Sequence, residues 1–199
     1  MTAVPSDEAE LKLELTPEGA DRLQGSDLFT GEPEAVSQHA IYFDTSGHDL
    51  LEAGLSLRIR RNGRDRVQTI KADGPAAGMF IRPEWERPVS GDEPVIDHET
   101  PIPALLGDEA PPVSPVFTVE NERRLWLNEG IEITLDRGKV VAGERNASFC
   151  EIELELKQGE AAGLFALARR IDALVPVRIG VSSKAERGYR LIGPAPSAV

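Results

Sequence analysis

Glu8-Ala9-Glu10-Leu11-Lys12 sets two carboxylates and an ammonium on one face of an extended chain, and small or apolar residues on the other. Successive residues of a strand point to opposite faces, so charge at period two marks a β-strand whose two sides meet different surroundings. One such strand says little, because a surface sheet ordinarily wets one side. The pattern recurs, however, at Leu57-Arg58-Ile59-Arg60, Thr69-Ile70-Lys71, Arg82-Pro83-Glu84-Trp85-Glu86, Glu132-Ile133-Thr134-Leu135-Asp136 and Glu151-Ile152-Glu153-Leu154-Glu155-Leu156-Lys157. Two arrangements accommodate it. Either every charged row faces bulk solvent, or the rows face one another across the polar lumen of a closed barrel.

The 199 residues, 40% hydrophobic and 28% charged, suit one folded domain, and with only 5% aromatic residues its core must be mostly aliphatic. Lys and Arg number 22 against 34 Asp and Glu, a formal charge of -12. That balance argues against general nucleic-acid binding and against an anionic membrane, both of which want a basic surface. A small anion held in a local basic cleft stays open. Cys150 is the only cysteine, so no internal disulfide or thiolate metal cluster forms, and a buried small hydrophobe is its expected role. No apolar run reaches the length of a membrane span, and residues 1–7 lack the features of a signal peptide. A cytoplasmic monomer or homodimer is the expectation.

Thr16-Pro17-Glu18 reads as an N-cap, a first-turn proline and an acid at the positive end of a helix reaching about residue 24. A strand at 39–44 ends in the turn cluster Thr45-Ser46-Gly47, and Asn62-Gly63 joins strands 55–61 and 66–71 as a hairpin. After a Gly, Pro and Ala-rich loop at 72–79 comes a strand at 80–89. Residues 90–115 form a Pro-rich and acidic surface excursion with a short helical turn at 102–106. Strands follow at 117–128, 131–137, 139–142 and 148–157. Leu164, Leu167, Ala168, Ile171 and Leu174 then space a helix over 160–174, ahead of Pro176. About eight antiparallel strands with short turns predict an α+β fold: an eight-stranded closed β-barrel with helices packed outside, one domain over residues 1–192 and a disordered tail at 193–199.

If the charged rows point inward, Glu8, Glu10, Glu84, Glu86, Asp136, Glu151, Glu153 and Glu155 share a cavity with Lys12, Arg58, Arg60, Lys71, Arg82, Arg123 and Lys184. Either sign alone would be too costly to bury, but together they nearly neutralise. Such a lumen suits a highly anionic ligand accompanied by a hard divalent cation. Arg and Lys match phosphate oxygens, and paired carboxylates match Mg²⁺ or Mn²⁺. Some of these residues have an alternative part. Glu84 and Glu86 serve equally well as partners that hold Arg58 or Arg60, Asp136 beside Arg137-Gly138 suits a turn as well as a lumen, Trp85 is out of phase and packs on an outer element, and Arg187 buttresses a strand that carries Lys184.

Glu8-Ala9-Glu10-Leu11-Lys12 resembles the ExExK signature of the CYTH superfamily, the triphosphate tunnel metalloenzymes. The likeness continues in order through Tyr42-Phe43-Asp44-Thr45, the Arg58 and Lys71 strands, Arg82-Pro83-Glu84-Trp85-Glu86, Cys150-Glu151-Ile152-Glu153-Leu154-Glu155 and Ser183-Lys184-Ala185-Glu186-Arg187-Gly188-Tyr189. It runs over nearly the whole chain and lies nearest the inorganic triphosphatase branch. The resemblance implies that Lys12, Arg58, Arg60, Lys71, Arg123 and Lys184 grip phosphates, and that Glu8, Glu10 and Glu153, with Glu151 and Glu155 nearby, hold Mg²⁺ or Mn²⁺. Glu8, Glu10 and Lys12 are then the catalytic candidates, with Glu84, Glu86 and Asp136 in support. Arg123 rather than Arg124 is chosen for its place three residues before Trp126, while the basic partner expected at 121 is replaced by Asn121. The implied reaction is metal-dependent hydrolysis of inorganic triphosphate to pyrophosphate and phosphate. A thiamine or nucleoside triphosphatase, less readily an adenylate cyclase, or a non-catalytic polyphosphate-binding module are the alternatives on the same scaffold.

Overall fold

The computed structural model describes residues 6–72, 79–107 and 111–193, with the side chains of 6–8 and 79–82 outside that description. The loop expected at 72–79 and the tail expected at 193–199 fall largely outside the described residues. Strands β1 (Ser6–Glu14), β2 (Glu34–Asp44), β3 (Leu55–Asn62), β4 (Asp65–Ala72), β5 (Met79–Pro88), β6 (Ser114–Asn128), β7 (Ile131–Ala142), β8 (Arg145–Leu156) and β9 (Arg178–Ile179) form one antiparallel sheet. Their order is β5-β4-β3-β2-β6-β7-β8-β1-β9, and β5 pairs in addition with β1, Glu84 opposite Ser6 through to Met79 opposite Leu11. The sheet therefore has nine strands where the sequence predicted eight. The ninth contributes two residues, which take up pairing with Leu13 and Glu14 beyond the stretch of β1 that meets β5.

Alternation sorts each strand into two faces. On β1 and β8 the apolar residues Leu11, Leu13, Ile152 and Leu154 form one buried cluster with Ile131, Ile133 and Leu135 of β7. Helices α1 (Pro17–Gln24) and α4 (Ala162–Leu174) cover this cluster through Ala20, Leu23, Leu164, Leu167 and Ile171. Each fully buried Leu or Ile contributes about 1.5–3 kcal/mol relative to exposure, so this face holds the helices on. Thr16 caps α1 by accepting from the Gly19 N–H at 3.1 Å, with Pro17 at its first position.

A second apolar layer lies over β3 and β4, where Leu57, Ile59 and Ile70 meet Leu50 of α2 (Asp49–Glu52) and Ile102 of α3 (Ile102–Leu106). Trp85 packs against this layer, as its phase predicted. The excursion that carries α3 is tied back by Asp92 with Arg61 and Arg66, each 2.7 Å away, and by Asp97 with Arg87 at 2.6 Å. The short α2 was not anticipated.

Two boundaries differ from expectation for identifiable reasons. β7 runs without a break through Gly138, which pairs with Asn121 on one side and Phe149 on the other. A Cβ at Gly138 would stand 2.1 Å from the Glu120 carbonyl oxygen and 2.7 Å from Cζ of Phe149, so glycine serves there as space and not as a turn. Lys184 lies on helix α5 (Lys184–Ile192) and not on a strand. Ser183 caps α5 in a reciprocal box: its Oγ accepts from the Glu186 N–H at 3.0 Å, while the Glu186 carboxylate accepts from the Ser183 N–H at 2.9 Å. α5 packs by Ala185 and Tyr189 on Ala40, Tyr42, Phe117 and Val119, and the Tyr189 hydroxyl donates to buried Asp44 at 2.6 Å.

Candidate functional site

With the apolar faces of β1, β3, β7 and β8 committed to the helices, the opposite faces line a single cavity of about 230 Å³. Alternate residues of eight strands reach it: Glu10 and Lys12 of β1, Gln38, Ala40 and Tyr42 of β2, Ser56, Arg58 and Arg60 of β3, Lys71 of β4, Glu84 and Glu86 of β5, Val119, Asn121 and Arg123 of β6, Glu132 of β7, and Glu153 and Glu155 of β8. Lys157, Ser183, Lys184 and Ala185 complete the lining. The charged rows therefore share one cavity and do not each face bulk solvent; the sheet is a nine-stranded antiparallel one, not the eight-stranded closed barrel expected.

Two charged groups divide this interior. In the first, Asp136, Glu151 and Glu153 each bring a carboxylate oxygen to within 4.8 Å of the others. Asp136 faces Glu151 directly across the β7–β8 pair, and Lys12 faces Glu153 across β8–β1. Three cations neutralise the three acids. Lys12 Nζ lies 2.9 Å from Glu153 and 3.6 Å from Glu151, and Lys184 Nζ lies 2.9 Å from Asp136 and 3.3 Å from Glu153 and also bonds Glu151. The Arg123 guanidinium forks onto Asp136 at 2.8 and 2.7 Å and reaches Glu153 at 3.3 Å. Lys184 also stands 5.3 Å from the centre of the Phe149 ring, which fills the space Gly138 leaves.

Burial and charge compete throughout this group, and charge wins. Desolvation would lift the Asp136 carboxyl, yet Lys184 and Arg123 hold it down at about 2. Desolvation likewise opposes the charged form of Glu153, but Lys12, Lys184 and Arg123 bring its pKa well below the usual carboxylate range. The same carboxylates overcome burial to raise Lys12, Lys184 and Arg123 above their ordinary values. Asp136 and Glu153 are thus ionised at neutral pH, fixed charges and not proton reservoirs.

The second group is cationic. Arg58 and Arg60 project side by side from β3, with Lys71 beyond them on β4. Glu84 lies 2.6 Å from Lys71 and 4.0 Å from Arg58, and Glu86 lies 3.7 Å from Arg60 while accepting from Thr69 Oγ1 at 2.9 Å. Glu84 and Glu86 accordingly sit as partners of lumen cations, one of the two parts the sequence left open to them. Repulsion from Arg58, then burial, then Arg123 lowers Arg60 to about 10 against the pull of Glu86 and Glu84. Arg58 itself is raised, burial being outweighed by Tyr42 and Glu84, and an added anion between the two guanidinium groups would offset their mutual repulsion.

Every predicted site residue with a described side chain except Glu151 and Asp136 lines the cavity directly, and those two lie fully buried behind Lys184. Asp136 lies in the unbroken run of β7 and not at a turn, but it stands behind the cavity wall and does not line the lumen. Glu10 stands directly opposite Glu155 across β1–β8. Glu8 belongs to β1, but its side chain, like that of Arg82, lies outside the described residues. Arg124 is exposed on the other face from Arg123. Arg187 bonds Glu14 and approaches Glu151 at 3.8 Å, so it braces α5 against β1 and β8. Lys157 and Glu132, which belong to the charged rows but were not among the expected site residues, line the cavity too. Gln38 and Ser56 carry no charge, and no pattern singled them out; Asn121, noted as standing where a basic partner is expected, lines the cavity as well.

Residues 6–189 match the CYTH domain, and the chain belongs to the CYTH family. It is 32% identical over 198 residues to an inorganic triphosphatase of Haemophilus influenzae, an alignment covering 92% of this chain and 54% of that protein. The chain thus spans about half the length of this curated relative. Among solved structures, a candidate adenylyl cyclase from Hippeastrum with a dominant triphosphatase activity superposes with a TM-score of 0.73 at 21% identity, over 89% of this chain and 93% of that one. A candidate adenylate cyclase from Bacillus halodurans gives 0.62 at 20% identity, over 87% and 90%. A Pyrococcus horikoshii protein gives 0.56 at 22%, over 90% and 96%. At these identities the likeness is one of fold. No helix among the described residues is long and apolar enough to cross a membrane.

Proposed function

We propose that the ring of pairings from β1 through β8 and back by β5 encloses a tunnel that binds inorganic triphosphate and hydrolyses it to pyrophosphate and phosphate. The observation that carries the reading is the convergence of alternate residues from eight strands on one cavity furnished with both a crowded cationic wall and a carboxylate cluster. A triphosphate needs cations along its length, and a hydrolase needs in addition a way to neutralise charge at the reacting phosphorus. One domain over residues 1–192 in the reducing cytoplasm suits a chain with a single cysteine.

Carboxylate oxygens are hard donors suited to Mg²⁺ or Mn²⁺, and Glu151 Oε2 is fully buried with no hydrogen-bond partner among the described residues. The donor set therefore fits a divalent cation, for which Glu10, Glu151, Glu153 and Glu155, with Glu8 from the same strand, are the ligands we assign. Such an ion supplies neutralisation of the charge that builds on the phosphate oxygens.

The chain's own residues do the rest. Arg58, Arg60, Lys71 and Arg123 bind the phosphate oxygens through charge-assisted hydrogen bonds, each contributing about 1.5–3 kcal/mol, and so align the chain for in-line attack. Lys12 and Lys184, already at the carboxylates, stand where phosphate and acid groups meet. A carboxylate of β1, Glu10 or Glu8, takes the proton of the attacking water as the new P–O bond forms and the bridging P–O bond breaks, leaving pyrophosphate.

The test is phosphate release from inorganic triphosphate, longer polyphosphate, ATP and thiamine triphosphate, each with Mg²⁺, Mn²⁺ or chelator. Metal-dependent turnover of inorganic triphosphate above the organic substrates is expected; turnover of none, or of ATP alone, refutes the reading. Glu10→Gln is expected to abolish turnover while keeping binding, whereas Arg60→Ala weakens binding by about 1.5–3 kcal/mol in calorimetric titration.

A further inference from the structure

Gly180 follows β9, buried, with its N–H donating to the Lys12 carbonyl at 2.9 Å. Its φ is not among the positive ones, so the backbone does not demand glycine there. The space does. A Cβ at 180 would stand 2.7 Å from Cγ and 3.0 Å from Cδ of Lys12, and 3.2 Å from Cγ of Glu14. What fills that space is the stem of a lysine only 5% exposed, whose ammonium lies 2.9 Å from Glu153 and 3.6 Å from Glu151. The connection that starts at Gly180 ends at the Ser183 cap of α5, and Lys184 just beyond sends its own ammonium to the same carboxylates.

We propose that Gly180 is a positioning residue: its bare backbone lies against the Lys12 stem and fixes where that ammonium stands between the carboxylate cluster and the phosphate path. The clash a side chain would create falls on rotatable Cγ and Cδ atoms and not on backbone, so a larger residue moves Lys12 before it breaks the fold. The atoms nearest a Cβ at 180 belong to Lys12 and Glu14, and Lys184 reaches the acids separately from α5, so Lys184 is expected to keep its place. The catalytic consequence rests on the triphosphatase reading above; the displacement of Lys12 does not.

The experiment compares wild type with Gly180→Ala by amine acylation and mass spectrometry, alongside triphosphate kinetics. In wild type, Lys12 is protected by burial and ion pairs while half-exposed Lys139 reacts. In Gly180→Ala, Lys12 labelling rises several-fold with Lys184 and Lys139 unchanged, and kcat falls at least about tenfold, as misplacement of a reacting-site group by an ångström predicts. In a Lys12→Ala background, Gly180→Ala adds no further loss. Unchanged Lys12 labelling, a joint rise of Lys12 and Lys184, or additive losses overturns the proposal, the joint rise marking a merely structural glycine. Should Gly180→Ala not fold, the double variant with Lys12→Ala, which removes Cγ and Cδ, is expected to fold as Lys12→Ala does, and its failure counts against the proposal. If wild type does not hydrolyse triphosphate, the functional reading fails while the labelling still decides the role of Gly180.

Discussion

Asp136 shows how one carboxylate can be legible by type and ambiguous by place. Arg137-Gly138 follows it, and a glycine after a charged pair reads as a turn. The glycine in fact makes room for the Phe149 ring, the strand continues, and Asp136 ends fully buried between Arg123 and Lys184. Its folded pKa of about 2 lies below its unfolded value of 3.8, and that of Glu153 is depressed as well. A depressed carboxyl contributes stability that is complete above its unfolded pKa and lost as pH falls through the folded one. For Asp136 the loss is about 2 kcal/mol between roughly pH 4 and pH 2. The melting temperature of the chelator-treated protein should hold steady from pH 5 to pH 8 and then drop through this window, and Asp136→Asn should drop less steeply from a lower plateau. Equal steepness in both proteins would mean that other groups carry the acid lability. Lys12 and Lys184, both raised, give the opposite sign, with stability lost only well above their ordinary values.

Among the elements that reach the site, α5 supplies Lys184 and was poorly legible. Ser183-Lys184-Ala185-Glu186 has the spacing of a capping box, a helix-start signal in plain view, but a resemblance that emphasised Lys184 as one more charged lumen residue drew it onto a strand. The hairpin at Asn62-Gly63, the helices at 17–24 and 160–174 and the turn at 102–106 were legible because local chemistry fixes them. β9 was not, since two residues carry no period of their own and pair only because β1 offers an edge. The seat of α5 is Gly188, where a Cβ would stand 2.3 Å from Cε2 of Phe117, a ring stacked on Tyr42 at 4.5 Å and edge-on to Tyr189 at 5.3 Å. Such a ring has nowhere to go. Gly188→Ala should therefore cost about 1–3 kcal/mol of stability in denaturant unfolding and, by lifting α5, carry Lys184 off Asp136 and impair turnover. A variant with wild-type stability and activity would show that α5 does not hold Lys184 in place.

For the whole molecule, the decisive property is that helices cover apolar faces of β1, β3, β4, β7 and β8 while charged residues of the opposite phase line one cavity. Residues 90–107 add to that cover, and the charged rows, which a surface sheet would have turned to water, line the cavity beside Ala40, Tyr42 and Val119. Period two made the rows legible, and their mixed sign made a shared lumen affordable. Strand order was not legible, because β2 pairs with β6 across 69 residues of intervening chain, from Asp44 to Ser114, and no local signal encodes that meeting. The central claim is that this interior is where a triphosphate binds. A crystal structure grown with tripolyphosphate and Mg²⁺ tests it most directly: the phosphates should lie in the cavity within hydrogen-bonding distance of Arg58, Arg60 and Arg123, and tripolyphosphate bound only on the exterior, with the cavity holding water at saturating ligand, would contradict it.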